Sequence, residues 1–323
     1  MKILVTGGLG FIGSHTVVEL QNEGFEVVAI DNLSNSSIEV LDGIEKITGK
    51  KPIFEKIDLR EKLAVQNFFK KHQDIIGVIH FAASKAVGES VENPLLYYEN
   101  NISTLVYLLQ EMKEHQLSNF IFSSSCTVYG QADKLPITEN APTKPAESPY
   151  GNTKQIGEEI IRESCKANGL KAIALRYFNP IGAHETANIG ELPIGVPQNL
   201  IPFVTQTAAG IRKELSVFGD DYPTPDGSCI RDLIHICDLA HAHTLALNYI
   251  IEKKNKTEEN MAASVRTISY PLLIALLIES CVKIISLDTK YLQKSILIKI
   301  NRCKTKITDN KYFIIFIRKI LIF

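Results

Sequence analysis

From Lys2 to Tyr177 the chain alternates short apolar runs with segments whose apolar residues recur at helical spacing. KILV (2–5), EVVAI (26–30), PIFEKI (52–57), GVIHFA (77–82), NFIFSS (119–124) and AIALRY (172–177) have the length and β-branched content of buried strands. Between them, IGSHTVVELQNEG and ISTLVYLLQEMKEHQ read as amphipathic helices. Strands alternating with helices predict βαβ units around a parallel sheet, so the expected class is α/β. After Tyr177 the texture changes. Pro180, Pro193, Pro197, Pro202, Pro223 and Pro225 make the next stretch rich in turns and predict a smaller, loop-built second lobe.

The pattern changes again near the end. No glycine follows Gly227, and Pro271 is the only proline after Pro225. From Ile284 onward there are 11 isoleucines in 40 residues, and over 283–323 basic side chains outnumber acidic ones 10 to 2. A packed α/β domain needs turn residues to reverse its chain, and this stretch almost lacks them. Its apolar runs, such as FIIFIRKILIF, are too short and interrupted to span a bilayer. The expected organisation is therefore a first domain over 1–178, a partial second lobe over 179–260, and an aberrant tail over 261–323 of the kind a shifted reading frame produces.

Composition narrows the function. With 35 basic and 36 acidic residues the net charge is −1, which gives no reason to expect nucleic acid or a membrane as partner. The opening MKILVTGG reaches glycine after few apolar residues and does not read as a secretory or transit signal, so a cytoplasmic location is expected. The six cysteines form no C-x-x-C pair and read as reduced thiols. No metal is expected. His80, His235, His241 and His243 lack the clustered carboxylates that would join them as ligands.

VTGGLGFIGSH follows the first strand and opens the first helix, with Gly7, Gly10 and Gly13 in G-x-x-G-x-x-G spacing. Glycines there allow a tight turn and close backbone approach to a pyrophosphate, which the helix N-terminus then attracts. This is the strand–turn–helix context of a dinucleotide site, and it predicts a Rossmann-type doubly wound sheet. Asp31 ends the second strand, where a carboxylate accepts from ribose hydroxyls and repels a 2′-phosphate; NAD is expected over NADP. Asp58, after the third strand, suits either the adenine pocket or a simple helix cap.

SPYGNTK (148–154) places Tyr150 and Lys154 one helical turn apart on one face. Glycine spacing and the Tyr150/Lys154 pair resemble the extended short-chain dehydrogenase/reductase superfamily and its Y-x-x-x-K. Ser125, at the end of the fifth strand, completes that arrangement as the third expected catalytic residue. A cationic Lys154 beside bound NAD is expected to lower the phenol pKa of Tyr150 so that it acts as a base, with Ser125 relaying the proton or holding the substrate oxygen.

Within that superfamily, FAASKAVGESVENPLLYYENN (81–101), SSSCTVYG, LRYFNPIGAH (175–184), PQNLIPFV (197–204) and DGSCIRDLIHICDLA (226–240) resemble the UDP-glucose 4-epimerase family, almost without gaps from Met1 to about Ile250. The resemblance implies that Phe11, Ile12, Asp31, Asn32, Asp58, Leu59, Phe81, Ala82, Lys85, Asn100, Lys154 and Phe178 contact NAD. It implies that Ser125, Tyr150, Asn179, Asn199, Leu200 and Arg231 contact a UDP-sugar. It further implies interconversion of UDP-galactose and UDP-glucose through a 4-keto intermediate, with NAD retained, and a homodimer.

The chain also departs from that family. Past 260 it lacks the family's NLGxG strand–turn, its R-x-G-D motif and its sugar-gauging residue, and it has Leu233 where the family has tyrosine. A protein that binds NAD but turns over nothing therefore stays open as an alternative. A 4,6-dehydratase fits less well: it needs a carboxylate acid where this chain has Cys126, Thr127 and Val128.

Overall fold

The computed structural model describes residues 1–138, 141–216, 219–225, 227–229, 231–252 and 266–268. The described residues fall into two compact units, 1–195 with 231–268, and 196–229. The aberrance expected of 261–323 falls outside the described residues except for 266–268.

The first unit is built on six strands in chain order: β1 (Lys2–Thr6), β2 (Glu26–Asp31), β3 (Ile53–Lys56), β4 (Ile75–His80), β5 (Asn119–Ser123) and β6 (Lys171–Leu175). Each overlaps one of the apolar runs, within two residues at either end. Helices α1 (Phe11–Asn22), α2 (Val40–Thr48), α3 (Lys62–Lys71), α4 (Val87–Glu92), α5 (Pro94–Tyr98), α6 (Thr104–Glu114) and α7 (Pro149–Asn168) connect them. Downstream come β7 (Asn179–Ile181), α8 (Leu200–Ala208), β8 (Leu233–His235), α9 (Ile236–Glu252) and β9 (Arg266–Ile268). The main sheet has the order β3-β2-β1-β4-β5-β6-β9 and every pairing in it is parallel. The order reverses at β1, so β1 and β4 flank the point where the crevice of a doubly wound sheet opens.

Strand alternation explains why both faces are covered. Ile3, Val5, Ile79, Ile121, Ile173 and Leu175 face one layer, with Val17, Leu20, Ile44, Leu239 and Leu247 of α1, α2 and α9. Leu4, Val28, Val78, Phe120, Phe122, Ala172 and Ala174 face the other, with Phe68, Leu105, Leu108 and Ile161 of α3, α6 and α7. A parallel strand buried on both faces must be apolar at successive positions, and these are. The NMAASVRTIS stretch, which lacks the glycine-rich pattern, nevertheless supplies β9 in register with β6, Ile173 opposite Arg266 and Leu175 opposite Ile268.

A separate two-stranded parallel sheet pairs β7 with β8, Asn179 opposite Leu233. In the second unit, α8 starts after Asn199, and Arg212 lies 4.8 Å from the Phe203 ring centroid while its Nε donates to Gln206 Oε1 at 2.8 Å.

Candidate active site

The glycine turn is shaped by close approach. Gly7 reverses the chain at φ +66°, and a Cβ there would lie 2.8 Å from the Ala82 nitrogen. At Gly13 a Cβ would come within 2.1 Å of the Gly7 carbonyl oxygen, so any side chain would push α1 off the turn. Gly10 caps the helix with no side-chain hydrogen bond. Its first intrahelical bond runs from Ser14 N to Gly10 O at 2.9 Å, which leaves the N–H groups of Phe11, Ile12 and Gly13 outside the ladder. Bare backbone and free donors at a positive helix end fit a dinucleotide pyrophosphate.

Asp31 also has a structural role. Its carboxylate, 9 % exposed, accepts from Leu9 N at 3.1 Å, Leu33 N at 2.9 Å and Ser36 Oγ at 2.8 Å. It therefore braces the glycine turn against the loop after β2, with acceptor capacity left for a ribose hydroxyl. Asn32 donates to Asp58 Oδ2 at 3.2 Å, and Arg60 grips Asp58 with Nε at 3.1 Å from Oδ1 and NH2 at 2.7 Å from Oδ2. That guanidinium, more than the burial opposing it, holds the Asp58 carboxyl down to about 2. Leu59 beside it is buried.

Beyond β4, Phe81 N donates to Thr6 O at 3.0 Å and Ala82 N to Thr6 Oγ1 at 3.4 Å, tying this loop to the end of β1. Exposed Lys85 reaches Glu191 at 3.7 Å. Asn100 sits in a π-helical turn, Glu99–Ser103, and donates to Ser84 Oγ at 2.8 Å. Its neighbour Asn101 was missed from sequence. Buried Asn101 accepts from Ser84 N at 2.8 Å and donates to Ser84 O at 3.0 Å and Thr153 Oγ1 at 3.1 Å. It fastens the β4–α4 loop to the helix of the Tyr150/Lys154 pair. The doubled Asn-Asn at a helix break was the available signal; a helix interior disfavours asparagine without a partner.

α7 begins as its sequence dictates. Ser148 is the N-cap, its Oγ accepting from Gly151 N at 3.2 Å, and Pro149 occupies the first turn, where a missing N–H costs nothing. This start fixes the rotation of the helix and points Tyr150 and Lys154 at the ends of β5 and β6. Lys154, 5 % exposed, donates from Nζ to the Ser123 carbonyl oxygen at 2.8 Å and lies 5.0 Å from the Phe122 ring centroid and 5.9 Å from that of Tyr150. Ser125, also buried, follows two residues on and caps the 3₁₀ turn Cys126–Tyr129, its Oγ accepting from Thr127 N at 3.2 Å.

The electrostatics differ from the simple expectation. Burial pushes the Tyr150 phenol up to about 12, and the hydrogen bond with Ser125 offsets only part of that. Burial also draws the Lys154 ammonium down to about 8, against the pull of Glu158. The chain alone thus keeps the phenol protonated at neutral pH, and lowering it takes further positive charge in the site. His80 stands nearby, its ring Nδ1 2.7 Å from Thr6 Oγ1 and its pKa depressed to about 3 by burial first and Lys154 second.

The remaining residues divide. Half-buried Phe178 follows Tyr177, and Asn179 begins β7 with both its backbone N and its Nδ2 donating to Asp232 O, at 3.3 and 3.0 Å. Arg231 precedes Asp232, and both charges act on Cys126, next to Ser125. The structure therefore gathers Asn179 and Arg231 at the Ser125 end of the site. Asn199 and Leu200 belong to the second unit, at the cap and first residue of α8. The histidines have local roles: His243 Nδ1 donates to Leu239 O at 2.8 Å, and His241 pairs with Glu19 at 2.5 Å.

The model of the NAD dependent epimerase/dehydratase family matches residues 3–262. The chain belongs to this family. Among curated members, a UDP-glucose 4-epimerase of Schizosaccharomyces pombe is 52 % identical over 253 residues, 77 % of this chain and 71 % of the relative. The Bacillus subtilis UDP-glucose 4-epimerase is 49 % identical over 262 residues, 81 % of this chain and 77 % of the relative. Among solved structures of the family, a UDP-glucose 4-epimerase from Bifidobacterium longum in complex with NAD+ and UDP has a TM-score of 0.77 at 44 % identity, covering 84 % of this chain and 78 % of its own. Family membership accounts for the glycine turn, the doubly wound sheet and the Y-x-x-x-K helix together. Among the described residues no helix is long and apolar enough to cross a membrane.

Proposed function

We propose that the chain is an isomerase that interconverts UDP-glucose and UDP-galactose at C4 of the sugar, through a 4-keto intermediate, with NAD as a tightly held cofactor. The observation that carries this reading is the convergence of Tyr150, Lys154 and Ser125 at the C-terminal ends of β4–β6, beside a glycine turn shaped for a pyrophosphate.

NAD, when bound, would supply a reversible hydride acceptor for C4 of the sugar, which makes it a retained cofactor and not a consumed substrate. The chain's own residues handle the proton. Tyr150 Oη takes it from the 4-hydroxyl and gives it back, and Ser125 Oγ, close enough to the phenol to oppose the rise in its pKa, holds the reacting oxygen. Lys154 supplies part of the positive charge that a phenol kept neutral by burial needs before it can act as a base. Phe11, Ile12, Gly13, Asp31, Asn32, Asp58, Leu59, Phe81, Ala82, Lys85, Asn100 and Phe178 would line the cofactor. Asn179 and Arg231 would take the UDP-sugar near Ser125, Arg231 pairing with the diphosphate through its fork of donors, with Asn199 and Leu200 as further contacts. A cytoplasmic homodimer acting on UDP-sugars, without nucleic acid or membrane, suits the near-neutral charge and the family.

A second reading rests on the sequence after 260, where R-x-G-D is missing: NAD binding without turnover. A coupled assay on purified protein, from UDP-galactose to UDP-glucose, decides between them. Turnover supports the epimerase. A chain that contains NAD but shows neither turnover nor calorimetric binding of UDP-glucose overturns it in favour of the second reading.

A further inference from the structure

One turn beyond Lys154, α7 holds a carboxylate in the interior. Glu158 and Arg176 are 2 % and 6 % exposed and meet as a two-pronged pair, Arg176 Nε donating to Oε1 at 2.8 Å and its NH2 to Oε2. Ser124 Oγ donates to the same Oε1 at 2.5 Å, and the guanidinium lies 4.8 Å from the Tyr129 ring centroid. Apolar side chains would fill this space without the desolvation cost of two ions, so stability is a weak reason for the pair. Its connections give a better one. The Ser123 carbonyl holds Lys154, the Ser124 hydroxyl holds Glu158, and the Ser125 hydroxyl meets Tyr150. The first two of three successive serines at the end of β5 are thus hydrogen-bonded to one helix, and the third lies beside Tyr150 of the same helix. Arg176, the residue after β6, ties in that strand, and Tyr177 beside it has its hydroxyl 2.5 Å from Ser123 Oγ.

We infer that Glu158, anchored by Arg176, is a positioning residue of the reaction: its carboxylate clamps the Ser123–Ser125 strand end against α7 and supplies the negative charge that faces the Lys154 ammonium along the helix. Beside Lys154 stand Tyr150 and Glu158 on α7 and His80 on β4; one contact further out are Arg176, which pairs with Glu158 and lies over Tyr129, Tyr177, which meets Ser123, and Cys126, on which Arg231 and Asp232 act. Of these, Glu158 is the group whose charge opposes the burial of Lys154. Its loss makes the site more positive, and Lys154 then releases its proton at lower pH.

This inference rests on the reading of Tyr150 and Lys154 as the reacting pair, and the test separates the two. Protein carrying its NAD is labelled with ¹³Cε-lysine, the Lys154 resonance is assigned by its absence in Lys154→Arg, and its pH midpoint is measured by NMR. Glu158→Gln should lower that midpoint by roughly one pH unit, and the basic limb of the kcat profile should move the same way with KM unchanged. Glu158→Asp should keep the midpoint and lose part of kcat through looser clamping. If the stranded Arg176 prevents Glu158→Gln from folding, the double variant Glu158→Gln/Arg176→Gln leaves no stranded guanidinium and should still lower the midpoint. An unmoved Lys154 midpoint in the folded variant overturns the inference, whatever happens to turnover. A shifted midpoint in a protein without epimerase turnover overturns the proposed function and with it the positioning role, leaving only the charge coupling of Glu158 to Lys154.

Discussion

The Lys154 ammonium donates a 2.8 Å hydrogen bond to the carbonyl oxygen of Ser123, so α7 and the end of β5 are joined through Lys154 itself. Lys154→Met should therefore act twice, removing charge beside Tyr150 and freeing a buried carbonyl. A lower melting temperature together with loss of turnover is expected. Unchanged turnover would place the chemistry elsewhere.

Tyr150→Phe removes only the hydroxyl. Fold and NAD content should persist, read by circular dichroism and by cofactor released on acid extraction, while turnover falls on the order of 10²–10⁴-fold. Equal turnover in parent and variant would rule out the phenol as base.

Gly13→Ala tests the cofactor turn. The new methyl would sit 2.1 Å from the Gly7 carbonyl oxygen, so α1 must retreat or the turn must open. The expected cost is about 1–3 kcal/mol of stability, as for other overpacked sites, with NAD lost on purification. An alanine variant that keeps stoichiometric NAD would show that the turn does not hold the pyrophosphate.

Asp31→Ala leaves Leu9 N, Leu33 N and Ser36 Oγ without their acceptor. A buried donor stranded in this way costs about 1–3 kcal/mol. Thermal stability should fall, and the preference for NAD over NADP in binding titrations should shrink. Copurification of the parent with NADP would already defeat the reading of this carboxylate.

Three buried histidines should make the fold acid-sensitive. Burial lowers His80 from 6.5 to about 3, and His15 and His243 from 6.5 to about 4. Between those values the unfolded chain binds the protons and the folded chain does not. Stability is thus fully present above about 6.5 and is lost as pH falls toward 4, by about 1.4 kcal/mol per pH unit for each histidine. Urea midpoints measured from pH 7 down to pH 5 should decline, and His243→Gln should flatten the slope. A flat profile in the parent would mean that these rings are protonated in the fold.

What the sequence determined is what depends on neighbours along the chain. Strand runs, the glycine spacing, the Ser148–Pro149 helix start and the four-residue step from Tyr150 to Lys154 are local patterns, and local patterns repeat wherever strand and helix geometry repeat. Tertiary structure decided whatever needed distant segments to meet. That Asp31 braces Leu9, that Asn101 reaches Thr153, and that Glu158 of α7 finds Arg176 just past β6 leave no periodic trace, since each contact depends on crossovers and sheet order. The same holds for β9, which pairs with β6 although its stretch lacks the expected glycines, because a sheet edge offers backbone donors and acceptors to any extended segment. The protonation of Tyr150 is the sharpest case. Four residues of spacing put a cation beside a phenol, but only the packing of β5, β6 and α7 takes both out of water, and that desolvation pushes the phenol up and the ammonium down.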